Sequence, residues 1–265
     1  MISRMASGHR RSLAGVALAI CLLCTSTGHA QNVTESSLKA AFIYNFAKFT
    51  EWPLDILPPS VNFVACVLGD GRPIPMMSYG LVEYLLGVDL SSFDLLELGG
   101  GSSTQFWAGR TRSVVTLETS PEWMKLLRSR PVPNLEARLS TPETLANDMA
   151  ALARSFDAIV IDAAANRFQL AKSAIGMLRP GGFIILDNSD WYPNAARLLR
   201  EADLIQIDFH DFRPAHHFRC TTSLFAHREF RPKPNSARLP LVPIGGKDVA
   251  ATNQWDLPIE GTGQA

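Results

Sequence analysis

A glycine turn with an acid before it, and two later carboxylates, have the residue types and spacing that suit ligand chemistry. The turn is Gly99–Gly101 in the run LELGGGSST, and Glu97 comes just before it. Glycines allow a tight turn and let a ligand approach the main chain. Glu118 and Asp162 each end an apolar run further along the chain. An acid about 20 residues after such a turn is suited to accept hydrogen bonds from ribose hydroxyls, as in dinucleotide sites.

Strand and helix patterns alternate around these residues, which predicts a parallel sheet with helices on both faces. Short apolar strands without alternation fit burial on both sides. Ligands bind beyond the carboxyl ends of such strands, so the three acids would meet at one edge of the sheet. The predicted strands are Phe93–Leu98, Ser113–Glu118, Leu135–Leu139, Asp157–Asp162, Phe183–Leu186, Leu204–Phe209 and Thr221–Ala226. The predicted helices are Ser78–Leu86, Gln105–Arg110, Pro121–Arg130, Thr141–Arg154, Arg167–Leu178 and Pro193–Ala202, and Arg179–Gly182 is a predicted turn.

Four motifs in this order, LLELGGGSST, VVTLE, FDAIVID and LRPGGFIILDN, resemble those of class I S-adenosylmethionine-dependent methyltransferases. The runs DGRPIPMMSY, GSSTQFWA, DNSDWYP and TTSLF are similar to a little-characterised bacterial branch of that family. The resemblance covers residues 70–230. It implies a Rossmann-like α/β fold, a mostly parallel sheet with helices on both faces. The segment Phe212–Cys220 departs from the branch, which leaves the substrate side open.

The resemblance implies a cofactor-binding role for six positions: Glu97, Gly99, Gly101, Ser102, Glu118 and Asp162. Gly99 and Gly101 would admit the methionine part of S-adenosylmethionine, and backbone N–H groups at the helix start would face the ligand. Glu97 would lie near the ammonium group or a bridging water. Glu118 would hold the ribose hydroxyls, and Asp162 would lie between cofactor and substrate.

The catalytic residues implied for methyl transfer are few, because the reaction depends mostly on proximity and alignment. A base is needed only if the acceptor must lose a proton. The candidates are Asp162, Asp187 and Asp190. The alternative for Asp187 and Asp190 is capping and turn chemistry ahead of the helix that starts at Pro193. The methyl acceptor stays open, because acceptor loops vary freely on this fold.

Residues 1–30 resemble a secretory signal peptide, with Arg10 and Arg11 before an apolar stretch and small residues before a cleavage point after Ala30. The apolar stretch Leu13–Leu23 is too short to span a membrane comfortably. This predicts a periplasmic or secreted protein without a stable membrane span after cleavage. The alternatives are an uncleaved anchor or a misplaced start codon, and the protein would be cytoplasmic if the signal does not function.

Residues 31–69 contain SLKAAFIYNFAKFTEWP and, further on, FVACVLGD, which resemble the start of the YfiR-like family. Members of that family are periplasmic proteins that restrain a membrane diguanylate cyclase. The apolar stripe of this segment, Leu38, Phe42, Phe46 and Phe49, has helical spacing and is typical of packing. No functional residue is transferred from this family.

The charge distribution, the histidines and the composition of the tail bear on nucleic-acid binding, metal binding and order at the carboxyl end. Residues 1–30 hold three of the 25 basic residues and no acid, so the rest has 22 basic and 25 acidic residues and shows no nucleic-acid patch. No metal is expected, because the histidines and the cysteine of residues 210–227 lack regular ligand spacing. These residues are His210, His216, His217, Cys220 and His227. Residues 231–265 are rich in proline, glycine and polar residues, which predicts an irregular tail.

Two functions therefore compete. The first is an S-adenosylmethionine-dependent methyltransferase acting on an unknown acceptor, such as a small molecule. The second is an exported, non-catalytic YfiR-like regulatory or binding protein that keeps the methyltransferase fold. The conflict is physical, since S-adenosylmethionine is made in the cytoplasm and an exported enzyme would lack it.

Overall fold

The computed structural model describes residues 74–214, 216, 218–237 and 239–243. The predicted signal peptide, residues 1–30, and the YfiR-like segment, residues 31–69, lie outside the described residues. Most of the predicted tail, from residue 244 onward, also lies outside them.

Seven strands form one sheet in the order β3-β2-β1-β4-β5-β7-β6. The strands are β1 Asp94–Leu98, β2 Ser113–Glu118, β3 Leu135–Leu139, β4 Phe156–Ile161, β5 Leu178–Leu186, β6 Ile205–Asp211 and β7 Cys220–Ala226. The pairs among β1 to β5 are parallel, and β7 runs antiparallel to both β5 and β6. This mostly parallel sheet, with helices on both faces, is a Rossmann-like α/β fold, so the predicted fold class is confirmed.

Six helices accompany the sheet in the described part of the chain. They are α1 Tyr79–Leu86, α2 Ser102–Ala108, α3 Pro121–Ser129, α4 Leu145–Ala151, α5 Arg167–Met177 and α6 Pro193–Glu201. In the described ranges, no helix is long and apolar enough to cross a membrane.

Most elements shift slightly from their predicted bounds, as α2 does by beginning at Ser102 rather than Gln105, and two elements differ more. The helix predicted from Thr141 begins only at Leu145, because hydrogen bonds between Thr141 and Thr144 close a separate turn ahead of it. The predicted turn Arg179–Gly182 belongs to β5, which begins at Leu178. A register shift between β4 and β5 accommodates this extension, and Gly182 faces the backbone of β4 too closely to admit a Cβ atom.

The sheet separates two apolar cores, and neighbouring residues of the central strands point into different ones. Leu95 belongs to the core on the side of α1 and α2, whereas Leu96 and Leu98 belong to the core on the side of α4, α5 and α6. This is the period-two alternation of a strand buried on both faces. The central strands are therefore fixed in register, and their carboxyl ends hold side chains in defined positions.

Candidate active site

The two predicted cofactor glycines have different surroundings at the carboxyl end of β1. Gly99 has a φ of +94°, and an added Cβ would lie 2.8 Å from the backbone of Asp162 and Ala163. The close approach there is between β1 and β4, so the fold itself requires glycine at position 99. Gly101 has extended backbone, and its Cβ would meet only the Trp123 ring, at 3.9 Å. Room for a ligand therefore lies beside Gly101.

Glu97 is fully buried at the end of β1, with its exposed fraction at 0%. Its carboxylate accepts hydrogen bonds from Ser103 Oγ at 2.6 Å, Thr104 Oγ1 at 2.6 Å and Thr116 Oγ1 at 2.8 Å. Burial raises the pKa of Glu97 to about 7 from 4.5, against the effect of these hydroxyl donors. Glu97 thus ties β1 to β2 and to the start of α2, and its role toward an ammonium group stays a prediction. Ser102, the first residue of α2, is partly exposed at this turn.

Glu118 ends β2 and lies beside the glycine turn. Its carboxylate accepts hydrogen bonds from the backbone N–H groups of Gly100 and of Ser120, the latter at 2.6 Å. Burial raises the pKa of Glu118, while these backbone donors lower it. The carboxylate has about four acceptor positions, so capacity remains for further donors such as hydroxyls.

Asp162 follows β4 and is partly exposed. Its Oδ1 accepts a hydrogen bond from Arg167 Nη2 at 3.0 Å. Burial and the neighbouring Asp187 carboxylate raise the pKa of Asp162, while Arg167 lowers it. Arg167 is itself buried, donates to the Ala163 carbonyl at 3.1 Å and lies 4.5 Å from the centre of the Tyr192 ring. This arrangement fixes both the guanidinium and the carboxylate.

Asp187 follows β5 and is fully buried. Its carboxylate accepts hydrogen bonds from Thr222 Oγ1 at 2.6 Å and from Arg213 Nη1 at 3.2 Å. Burial raises the pKa of Asp187, while Thr222 and Arg213 lower it. The Asn188 amide fits best with its nitrogen donating to Asp187, at 2.8 Å. Arg167 donates both to the Asp162 carboxylate and to the Asp187 main-chain carbonyl, so one guanidinium links these two acids, which we call the acidic pair.

Asp190 differs from the other two catalytic candidates. Its Oδ1 accepts a hydrogen bond from the backbone N–H of Thr221 at 3.1 Å, which secures the start of β7. This contact joins the loop to a distant strand and is neither a helix cap nor a local turn bond, so the catalytic role of Asp190 and the capping and turn alternative both stay predictions. The structure thus brings Asp162 and Asp187 together, and it ties Asp190 to the neighbouring strand.

Arg167 and Arg213 are site residues that the sequence prediction missed. Arg167 is the first residue of α5, where the helix dipole disfavours a cation. A basic residue at that position, five residues after the predicted Asp162, was a usable indication of a pairing. Arg213 lies in Phe212–Cys220, the segment that departs from the related branch, and no pattern in the sequence connects it to Asp187.

The histidines and the cysteine of residues 210–227 were considered above as metal ligands. Among the described residues, no group of three or more histidine, cysteine or acidic side chains could hold a metal ion. His210 Nδ1 contacts Thr221 Oγ1 at 2.8 Å, and His227 Nδ1 accepts from the Glu229 N–H at 3.2 Å. Cys220 is a buried free thiol, and burial raises its pKa to about 11. His217 lies outside the described residues.

The residues at this edge fit S-adenosylmethionine on two observations. Gly101 leaves open space where a ligand can approach the main chain, and Glu118 retains acceptor capacity for hydroxyls. The turn and Glu118 belong to adjacent parallel strands, β1 and β2, and Asp162 follows β4 on the other side of β1. These three parts therefore border one region beyond the sheet.

The amino-terminal segment matches a family model described as YfiR/HmsC-like, over residues 36–82. The match confirms the predicted resemblance and extends beyond residue 69 into α1. Residues Leu81 and Val82 of α1 are buried in the core on the α1 and α2 side. The family match therefore includes residues that pack on the sheet, while the predicted boundary at residue 70 stays a prediction.

Solved structures similar to this chain include several methyltransferases. A fibrillarin pre-rRNA processing protein from Methanococcus jannaschii is 17% identical, with a TM-score of 0.47, over 60% of this chain and 78% of that one. A fibrillarin from Aeropyrum pernix with natively bound S-adenosyl-L-methionine is 17% identical, with a TM-score of 0.45, over 56% and 74%. A putative O-methyltransferase from Klebsiella pneumoniae is 17% identical, with a TM-score of 0.45, over 71% and 96%. A comparison with curated proteins gives no significant match.

Proposed function

We propose that this protein is an S-adenosylmethionine-dependent methyltransferase. One observation carries the proposal. The open side of Gly101, the Glu118 carboxylate and Asp162 lie together beyond the carboxyl ends of adjacent strands. These are the parts of a site that holds a nucleoside and presents its reactive end to a second molecule. Ligand binding at this edge is the general behaviour of open parallel sheets.

The proposed site assigns a separate task to each residue. S-adenosylmethionine supplies a methyl group on a sulfonium sulfur, which leaves with the electron pair of the carbon–sulfur bond. Glu118 accepts hydrogen bonds from the ribose hydroxyls, and Gly101 gives the methionine part access to the main chain. Asp162 takes the proton that the acceptor loses as its nucleophilic atom bonds to the methyl carbon. Arg167 keeps the Asp162 carboxylate oriented through its 3.0 Å hydrogen bond.

A binding titration tests the proposal. Calorimetry of the purified protein with S-adenosylmethionine should show one saturable site, and Glu118→Ala should weaken binding by about 1–3 kcal/mol, the scale of charge-assisted hydrogen bonds. Glu122→Ala is the matched control, because Glu122 is an exposed acid in the first turn of α3. Affinity that is unchanged in Glu118→Ala would refute the ribose assignment. A wild-type protein that folds and binds no S-adenosylmethionine would refute the proposed function.

An exported, non-catalytic regulatory protein is the second candidate, favoured by the YfiR/HmsC-like match at residues 36–82. On this alternative the protein resides in the periplasm, where S-adenosylmethionine is not made. Cell fractionation with an antibody to the folded domain separates the two cases. A mature periplasmic protein that does not bind S-adenosylmethionine supports the regulatory function, whereas a cytoplasmic protein that binds it supports the enzyme.

A further inference from the structure

A pocket lies beside the acidic pair, between the starts of α5 and α6. It measures about 220 Å³ and is lined in part by Asn166, Arg167, Phe168, Trp191, Tyr192 and Asn194. We call it the aromatic pocket. It follows the carboxyl ends of β4 and β5, the strands that precede Asp162 and Asp187. None of the proposed cofactor-binding residues lines this pocket.

Its walls expose large aromatic rings. Trp191 is 54% exposed and Phe168 is 38% exposed. The ring of Phe218 lies 6.3 Å from that of Trp191, with 30° between the ring planes. These rings come from three separate parts of the chain. Exposed apolar side chains that cluster at the rim of a pocket are characteristic of a ligand-binding surface.

Arg167 links the aromatic pocket to the proposed base. Its side chain lines the pocket, donates to Asp162 and lies over the face of Tyr192 at 4.5 Å. A molecule held against Trp191 and Phe168 therefore has Arg167 as its charged neighbour, and Arg167 in turn holds the Asp162 carboxylate, which does not itself line the pocket.

The charge of the pocket favours an acceptor oxygen that becomes negative. Both helices that border it start there, α5 at Arg167 and α6 at Pro193, and they have 11 and 9 residues. Helix N-termini and a guanidinium stabilise an oxyanion. A carboxylate base is useful only for an acceptor that loses a proton. A phenol, with a pKa of about 10, loses its proton much more readily than an aliphatic alcohol.

We propose that the aromatic pocket holds the ring of a small phenolic methyl acceptor and presents its hydroxyl to Asp162. This inference rests on the proposed function and names its substrate class. The phenolic oxygen bonds to the methyl carbon, its proton passes to Asp162, and the sulfonium sulfur leaves as a neutral thioether. Burial and the Asp187 carboxylate, which raise the pKa of Asp162, make it a stronger base than an ordinary aspartate.

The test uses the full chain and p-cresol as the probe, with 4-methylcyclohexanol and toluene as matched compounds. Ligand-detected NMR should show saturable p-cresol binding, at least about tenfold tighter than binding of the non-aromatic alcohol, since the flat ring stacks on Trp191 and Phe168. Toluene should bind more weakly than p-cresol, since it lacks the hydroxyl. Equal affinity for p-cresol and 4-methylcyclohexanol would overturn the inference.

Variants separate this inference from the proposed function. Trp191→Ala and Phe168→Ala should each weaken p-cresol binding about tenfold and leave S-adenosylmethionine affinity unchanged. Trp123→Ala is the matched aromatic control for p-cresol binding alone, which it should leave unchanged, because Trp123 is 41% exposed and does not line the pocket. A protein that binds S-adenosylmethionine but not p-cresol refutes the phenolic acceptor alone. A protein that binds p-cresol but not S-adenosylmethionine refutes the proposed function, and with it the assignment of the phenol as a methyl acceptor.

Discussion

The two ends of the glycine turn should respond differently to the same small substitution. Gly99→Ala adds a Cβ that would lie 2.8 Å from the backbone of Asp162 and Ala163, at a φ of +94°. Gly101→Ala adds one that meets only the Trp123 ring, at 3.9 Å. The pair therefore separates the structural requirement for glycine from a requirement set by a ligand.

The expected loss at position 99 has two parts. A left-handed conformation costs alanine about 1–2 kcal/mol, and forcing a methyl group into filled space costs about 1–3 kcal/mol. The backbone of β4 cannot move aside as a flexible side chain would, so Gly99→Ala should lose about 2–5 kcal/mol. Domains are typically stable by only about 5–15 kcal/mol, so this variant should unfold at much lower denaturant concentration. Gly101→Ala should stay within about 1 kcal/mol of the wild type.

Two measurements on each variant check this reasoning. Equilibrium unfolding in urea gives the free energy of unfolding, and calorimetry gives the affinity for S-adenosylmethionine. Gly101→Ala should unfold normally but bind more weakly, because its methyl group occupies space beside the main chain that the ligand needs. Equal stability of the two variants would refute the structural account of Gly99. Normal binding by Gly101→Ala would refute the placement of the cofactor at this turn.

Two buried or paired carboxylates should control how stability depends on pH. Burial raises the pKa of Glu97 from 4.5 to about 7. As the pH rises from 4.5 to 7, the free energy of unfolding of the wild type should therefore fall by up to about 3 kcal/mol, at 1.36 kcal/mol per pKa unit. Glu97→Gln should show no such fall. Unfolding in urea from pH 4 to 8 measures both. Asp94 behaves oppositely. Hydrogen bonds from Arg112, Ser113 and Arg179 hold the pKa of Asp94 well below its usual range, although burial raises it. Asp94→Asn should lower the free energy of unfolding by only about 1 kcal/mol at neutral pH, because solvent screens the exposed Arg112. In acid the wild type and the variant should be equally stable. A loss of stability that does not depend on pH would contradict the ion-pair account.

The order of elements was predictable because the central strands are uniformly apolar and the helices between them have clear starts. β2 and β3 have their predicted bounds, since turn residues enclose each run. β5 was predicted too short, because Arg179–Gly182 contains proline and two glycines, which are typical of turns, and the pattern therefore indicated a turn there. Local sequence does not reveal that Gly182 allows the chain to pass close to β4.

The candidate site was less predictable than the fold. The motifs indicated Glu97, Glu118 and Asp162 correctly as strand-end acids, but spacing gives no information on which way each carboxylate points. Glu97 bonds three hydroxyls in the core, whereas Asp162 is partly exposed. Arg213 reaches Asp187 from a segment 26 residues away, and such long-range pairing is set by the packing of β7 against β5.

The hydrogen bonds of Glu118 affect how natural variation at this site should be understood. Because the carboxylate holds the N–H groups of Gly100 and Ser120, selection for a stable protein is enough to preserve it. Gly99 is under the same constraint from β4. A lineage that lost methyl transfer would keep both residues for as long as it kept the fold. Position 101 has no such constraint, so drift away from glycine there would be the earliest mark of an inactive descendant.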